Sequence, residues 1–209
     1  MSKKTTFLPE AIFTFDDTTV VLLKTSFANY QFIMAFNKAY QLELARVDDV
    51  VLKDIPYHCF SYYDESARLA YVMIETPTAG PAYPSPLSET APRPPFDYYD
   101  KMLLIRGRDA WDFQNRLYHD LTDRLPEPDK NDWLIHSDWE HIQLLKEGVF
   151  TIDTCSFYSQ LEGVRATTLY TGPAEKMPTA TKTQLRQLRA FLTTTFDVLQ
   201  WHLLDEEEL

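Results

Sequence analysis

The residues best suited to chemistry lie in the second half of the chain, where imidazole, carboxylate and thiol side chains follow one another. His136, Asp138 and His141 carry the groups that bind zinc, manganese or iron in proteins. The two histidines are five positions apart, which neither stacks them on one helix face nor matches the His-Glu-x-x-His pattern. We therefore expect a turn between a strand and a helix here, and we predict no metal and no cofactor.

A thiol nucleophile is the second chemical possibility. Cys155 is close enough in sequence to the histidines to be considered with them, but sequence does not show spatial proximity. Cys59 and Cys155 both stand among strand-forming residues, which is typical of buried free thiols. A metal- or thiol-dependent hydrolase is therefore kept as an alternative hypothesis, with the following candidate site residues: His136, Asp138, His141 and Cys155.

Other catalytic signatures are missing from the sequence. The chain has five glycines, too few for a glycine-rich phosphate loop, and it contains no Gly-x-Ser-x-Gly segment. Paired carboxylates occur at Asp16-Asp17, Asp48-Asp49 and Asp64-Glu65, all at predicted turns. Water solvates both members of such a pair, whereas a general acid needs an apolar pocket that raises its pKa. We therefore predict no catalytic residues.

The charge of the chain excludes some partners. Its formal net charge is -11, and lysine and arginine are scattered without forming a basic face, so nucleic acid is not a predicted partner. Residues 109–147 hold ten acidic residues against four basic ones, which raises a further alternative, an acidic mimic that occupies a basic partner. No segment approaches the roughly 18 apolar residues of a membrane span. The start of the sequence also lacks the apolar stretch of a signal peptide, so we predict a cytoplasmic protein without membrane contact.

Hydrophobic patterns in the first half predict alternating strands and helices. A helix at 27–40 should follow a strand at 20–24, with Ser26 as its cap. Its buried stripe should consist of Phe27, Tyr30, Ile33 and Met34, widened by Phe32 and Phe36. The remaining predictions for this half are strands at 12–15, 42–47, 58–63, 69–75 and 101–107 and a helix from Asp109 to about residue 125.

Prolines interrupt this half. Seven of the thirteen prolines lie between Pro77 and Pro95, between the strands predicted at 69–75 and 101–107. Proline cannot donate a hydrogen bond to a sheet, so no central strand can run through this stretch. The sequence therefore predicts a loop at 77–95 that is inserted in the sheet.

The patterns are weaker after Asp129. They indicate a strand at 133–136, a helical turn or two at 139–146, and strands at 150–158 and 167–170. A clear helix follows at 181–203, with apolar residues three and four positions apart: Leu185, Leu188, Leu192, Phe196, Leu199 and Leu203.

Together these elements predict an α+β fold. A small, mainly antiparallel sheet should carry two helices on one face, and a C-terminal α/β extension should end in the long amphipathic helix. We assign residues 12–125 to the core and residues 129–204 to the extension, which either packs on the core or forms a separate domain. Residues 205–209 form an acidic tail.

Several local features resemble one bacterial family. They are the helix end Phe36-Asn37-Lys38, the segment at 42–49 with its acidic pair, and the aromatic segment at 60–65. In the order and spacing of these features, residues 20–125 are similar to the IPExxxVDY family. The signature that gives the family its name would fall at 93–101, where this chain agrees with it only at Pro94 and Asp100. The resemblance implies a small cytoplasmic α+β protein with no assigned activity, cofactor or catalytic residues.

Tyrosines complete the sequence-based hypothesis. The chain has twelve, more than a core of this size requires, and their amphipathic rings are favoured at contact surfaces. The predicted interface residues are Tyr62, Tyr63, Tyr98 and Tyr99. Our hypothesis is a non-catalytic binding protein that uses the exposed sheet face or edge beside the proline loop to contact a protein partner or a second copy of itself.

Overall fold

A computed structural model describes residues 18–52, 55–75, 99–122, 133–157, 164–170 and 172–199. The predicted strand at 12–15, the proline loop at 77–95 and the tail at 205–209 lie outside these residues. The elements in chain order are β1 (Thr18–Thr25), α1 (Asn29–Tyr40), β2 (Ala45–Leu52), β3 (Ile55–Asp64), β4 (Leu69–Glu75), β5 (Lys101–Arg106), α2 (Ala110–Thr122), α3 (Trp133–Gly148), β6 (Val149–Phe157), β7 (Val164–Thr167), a short 3₁₀ helix (Ala174–Lys176) and α4 (Thr179–Leu199).

The strands form one seven-stranded sheet in the order β2-β3-β4-β5-β1-β6-β7, and every neighbouring pair is antiparallel. Glu75 at the end of β4 lies opposite Lys101 at the start of β5, so the chain leaves and re-enters the sheet at the same end. The predicted α+β class is confirmed. Strands β6 and β7 from the C-terminal half extend the same sheet that the first half begins.

Helices α1, α2 and α3 cover one face of the sheet, so α3 adds a third helix to the face on which the sequence predicts two. Because side chains alternate along a strand, Val21 and Leu23 of β1 face these helices while Val20 and Leu22 face the other side. We call the buried cluster on this side the first core. Its members include Val21, Leu23, Phe32, Phe36, Tyr71, Leu103, Ile105, Leu117 and Leu145.

Helix α4 covers the opposite face. Its apolar stripe packs on the strands to form what we call the second core, where the rings of Tyr57 and Phe191 meet edge to face with centroids 5.8 Å apart. The second core includes Val20, Leu22, Tyr57, Cys59, Leu104, Cys155, Leu185, Leu188, Phe191 and Leu192. All seven residues of β4 are buried, so the central part of the sheet presents no open face to a partner.

Helix α1 differs from its prediction in two ways. It begins at Asn29, and its N-cap position, Ala28, makes no side-chain capping bond, so Ser26 is not the cap. Its buried stripe follows Phe32 and Phe36, whereas Tyr30 and Met34 point away from the sheet. The predicted stripe is therefore too wide: Phe32, Ile33 and Phe36 are buried as predicted, and Tyr30 and Met34 are not.

Helix α3 begins at Trp133, so the strand predicted at 133–136 is wrong. It ends at Gly148, whose carbonyl oxygen accepts a hydrogen bond from the Ser26 backbone N–H at 2.9 Å. A Cβ atom on residue 148 would overlap the ring of Phe27, which explains why glycine is needed there. This contact fixes the start of α1 against the end of α3.

Candidate functional site

Cys155 belongs to the second core. Its side chain is fully buried on β6, and this burial raises the pKa of the thiol to about 12. Cys59 on β3 is also buried, and its pKa is likewise raised to about 12 by desolvation. Both thiols are therefore protonated at neutral pH, which is the opposite of what a nucleophilic cysteine requires.

The histidines of the candidate site lie on α3, which packs on the other side of the sheet. Ile142 and Leu145 of this helix belong to the first core, so the sheet stands between α3 and the Cys155 side chain. His136 and Asp138 fall within α3, but their side chains lie outside the described part of the structure, as does any contact they make. Among the side chains that are described, no three ligating groups come together around a possible metal ion.

The predicted tyrosine interface does not form one surface. Tyr99 is only 8% exposed and belongs to the second core, where its hydroxyl donates a hydrogen bond to Asp153. Tyr62 and Tyr63 are adjacent on β3, so they point to opposite faces of the sheet, and Tyr62 stacks on Tyr71 with centroids 6.2 Å apart. Tyr98 lies outside the described residues.

A buried ion pair joins the two strands that flank the proline segment. Lys101 Nζ lies 3.0 Å from Glu75 Oε1, and the two side chains are 1% and 2% exposed. The ammonium group also lies 5.4 Å from the centre of the Phe32 ring, a cation–π contact with the first turn of α1. Because solvent does not reach this pair, its role is to hold β4, β5 and α1 in register.

A second polar cluster lies within the helical layer. Tyr40 OH, Asp120 Oδ2 and Lys146 Nζ come from three different helices and are buried, and Asp120 Oδ2 also lies 3.7 Å from Arg116 Nε. Burial raises the pKa of Asp120 and raises the pKa of Tyr40 well above its ordinary value. A raised carboxyl pKa is typical of a general acid, but these atoms are closed off from solvent and so from a substrate.

The sheet edges are protected against strand addition. Edge strand β2 carries a bulge between Val47 and Val50, where Arg46 binds Asp49 and contacts His58 Nδ1 at 2.9 Å. These hydrogen bonds from Arg46 and His58 lower the pKa of Asp49. The other edge strand, β7, has four residues. A bulged, charged edge and a very short edge both discourage pairing with another chain, so the edges are poor binding sites.

Exposed hydrophobic side chains concentrate on the outer surface of the helical layer. Tyr30 and Met34 on α1 are 64% and 55% exposed, and Leu144 on α3 is 44% exposed. Helix α1 begins where α3 ends, and the two helices pack against each other, so they run antiparallel. Among the residues whose side chains are described, Val47 on the edge strand is the one large exposed hydrophobic residue away from these helices and the start of β6.

Phe150, at the start of β6, is a further exposed aromatic residue. Lys24 pairs with Thr151 and Thr25 pairs with Val149, so Phe150 has no residue opposite it on β1 and forms a bulge. Its ring is 66% exposed as a result, although the neighbouring Val149 packs against the first core. We call the set formed by Tyr30, Met34, Leu144 and Phe150 the helix-side patch.

Sequence reasoning missed the helix-side patch because it placed Tyr30 and Met34 in the core. One signal could have excluded them: Phe32 and Phe36, which the prediction also buries, lie on the side of the helix opposite Met34, and one sheet cannot bury both sides. Phe150 carried no such signal, because a bulge depends on how β1 and β6 pair.

Comparisons with protein-family models, with curated proteins and with solved structures find no match to this chain. The resemblance to the IPExxxVDY family stays a prediction. No helix among the described residues has the length and apolar character required to cross a membrane.

Proposed function

We propose that this chain is a non-catalytic protein that acts by binding another protein chain through the helix-side patch. The observation that carries the proposal is the exposure of large hydrophobic side chains on α1, α3 and the start of β6. Contiguous apolar surface is costly to leave in water and marks interaction sites in folded proteins. Tyrosine, phenylalanine and methionine are also the residue types enriched at the centres of protein interfaces.

The chemistry of the remaining candidates supports binding over hydrolysis. Cys155 is a protonated, buried thiol on the far side of the sheet from α3. The carboxyl group of Asp120 has a raised pKa, but its buried oxygen is closed to a substrate. The acidic-mimic hypothesis stays a prediction, because no described contact bears on it.

The proposal is tested by replacing apolar residues of the helix-side patch with charged ones. Met34→Glu and Leu144→Glu place a charge in its centre, and Gln187→Glu adds the same charge to the exposed face of α4 as a matched control. The tagged full chain is used to retain proteins from a native lysate and a differently tagged copy of itself, with quantification by mass spectrometry. Circular dichroism first establishes that each variant folds.

We expect the wild type and Gln187→Glu to retain the same chains, and the two patch variants to retain about tenfold less of them, which corresponds to about 1.4 kcal/mol of binding free energy. If Met34→Glu and Leu144→Glu retain these chains as well as the wild type does, the helix-side patch is not the binding surface.

A further inference from the structure

We propose that the chain bound by the helix-side patch is a second copy of this protein, in a symmetric dimer that packs α1 of each copy on α3 of the other. This inference rests on the proposed function, since it names the occupant of the same surface. Closed two-fold dimers are the commonest oligomers of soluble proteins, and their interface must be complementary to itself. The exposed faces of α1 and α3 meet that requirement in the charge and the spacing of their residues.

The two exposed faces carry opposite charges beside their apolar residues. On α1, Lys38 follows Met34 by one turn and is exposed. On α3, Glu140 precedes Leu144 by one turn and is also exposed. Neither Lys38 nor Glu140 takes part in an ion pair within the described part of the chain. Both charges are therefore available to another molecule.

The spacing of these residues matches because the helices are antiparallel. Lys38 lies four residues after Met34, and Glu140 lies four residues before Leu144, so each charge is about 6 Å along its helix from its apolar neighbour. Because α1 and α3 run in opposite directions, the step from Met34 to Lys38 and the step from Leu144 to Glu140 point the same way in space. An α1 face laid on an α3 face thus brings Met34 onto Leu144 and Lys38 onto Glu140 together.

A two-fold axis parallel to the two helices produces this arrangement twice. It places α1 of one copy over α3 of the second copy and, by symmetry, α3 of the first over α1 of the second. Tyr30 then faces the region of the second copy where α3 passes into β6, which is the end that presents Phe150. The formal charge of -11 on each copy opposes association at long range, so the short-range pairs must supply the attraction.

A charge-swap experiment tests this geometry on the full chain. The dissociation constant for self-association is measured by sedimentation equilibrium for the wild type, Lys38→Glu and Glu140→Lys, and for an equimolar mixture of the two variants. In the mixture, each copy supplies the charge that the other lacks, so both pairs become attractive again. Arg186→Glu and Glu175→Lys make the same charge changes at exposed positions outside the patch and serve as controls.

We expect each single patch variant to weaken self-association about tenfold, the mixture to recover the wild-type value, and the controls to leave it unchanged. A wild type that stays monomeric at the highest concentration measured overturns the dimer. A dimer whose dissociation constant is the same for the wild type, Lys38→Glu and Glu140→Lys overturns the proposed geometry as well. If the wild type is monomeric but retains a different protein, and Met34→Glu abolishes that retention, then the dimer is wrong and the proposed function still holds.

Discussion

The helices on the two faces of the sheet bury their apolar residues with the same spacing, but they differ in the residues that they expose to solvent. Helix α4 directs Leu185 and Leu188 into the second core and exposes Arg186 and Gln187. Helix α1 directs Phe32 and Phe36 into the first core with the same periodicity, yet it exposes Met34. Since α4 shows that this sheet can be covered by a helix with a polar outer face, the fold does not require apolar residues on the outside of α1. Our proposal accounts for their presence by binding to another chain.

The two cores also differ in the polar groups that they enclose. The first core encloses the Glu75–Lys101 ion pair, and on the same sheet face the Ser156 hydroxyl donates to Gln114 at 3.4 Å. The second core holds the two thiols and the Tyr99–Asp153 hydrogen bond, but no ion pair is found in it among the described residues. The first layer thus has a buried ion pair inside and apolar residues outside, and the predictions below test that contrast.

The largest expected effect comes from removing the charge of Lys101. Lys101→Met leaves the carboxylate of Glu75 buried and unpaired, which typically costs about 3–5 kcal/mol of unfolding free energy. Chemical denaturation followed by circular dichroism measures the change.

The double variant Glu75→Leu/Lys101→Met is the control, because replacing both partners leaves no orphaned charge. We expect it to recover most of the loss and to unfold within about 1–2 kcal/mol of the wild type. A single variant as stable as the wild type would show that the pair is not buried in solution.

The second core should protect its thiols from reagents. Because burial raises the pKa of both cysteines to about 12, we expect native-state alkylation at pH 8 to be about a thousandfold slower than in the unfolded chain. Mass spectrometry of iodoacetamide-treated protein, with and without denaturant, measures the ratio. Rapid native labelling of Cys155 would favour the hydrolase hypothesis instead.

The smallest effect concerns pH and the polar cluster of the helical layer. The pKa of Asp120 is raised in the folded state, chiefly by desolvation, so the folded chain holds this proton more tightly than the unfolded chain. Its stabilising contribution is complete below the unfolded value of 3.8 and is lost as the pH rises through the folded value. The ionised carboxylate then faces Arg116, His119, Tyr40 and Lys146.

Asp120→Asn removes this dependence, so the difference in unfolding free energy between the wild type and the variant should shift in favour of the variant as the pH rises from 4 to 7. Asp49→Asn is the comparison, because the lowered pKa of Asp49 gives the opposite trend. A wild type that gains stability over Asp120→Asn with rising pH would contradict the assignment.

Strong local patterns allowed most elements to be predicted from the sequence. Strand β4 occupies Leu69–Glu75 as predicted, and Leu185, Leu188 and Leu192 of the stripe predicted on α4 are buried. The start of α3 was not predictable, because Trp133-Leu134-Ile135 is a short apolar run that suits a strand or a helix equally well.

Long-range packing decided the features that the sequence did not reveal. Two apolar stripes compete on α1, and only the packed sheet selects the one containing Phe32. Glu75 and Lys101 are 26 positions apart, so their pairing depends on the register between β4 and β5. Cys155 and the α3 histidines are near in sequence, but the sheet separates the thiol from that helix.

Site-specific photo-crosslinking gives the most direct test of the helix-side patch as a binding surface. A benzophenone side chain replaces Met34 or Leu144 in the full chain, or Gln187 on the outer face of α4, and the protein is irradiated under native conditions. Our account predicts that the probes at positions 34 and 144 become joined to another protein chain while the probe at position 187 does not. Equal crosslinking at all three positions, or crosslinking at position 187 alone, would contradict it.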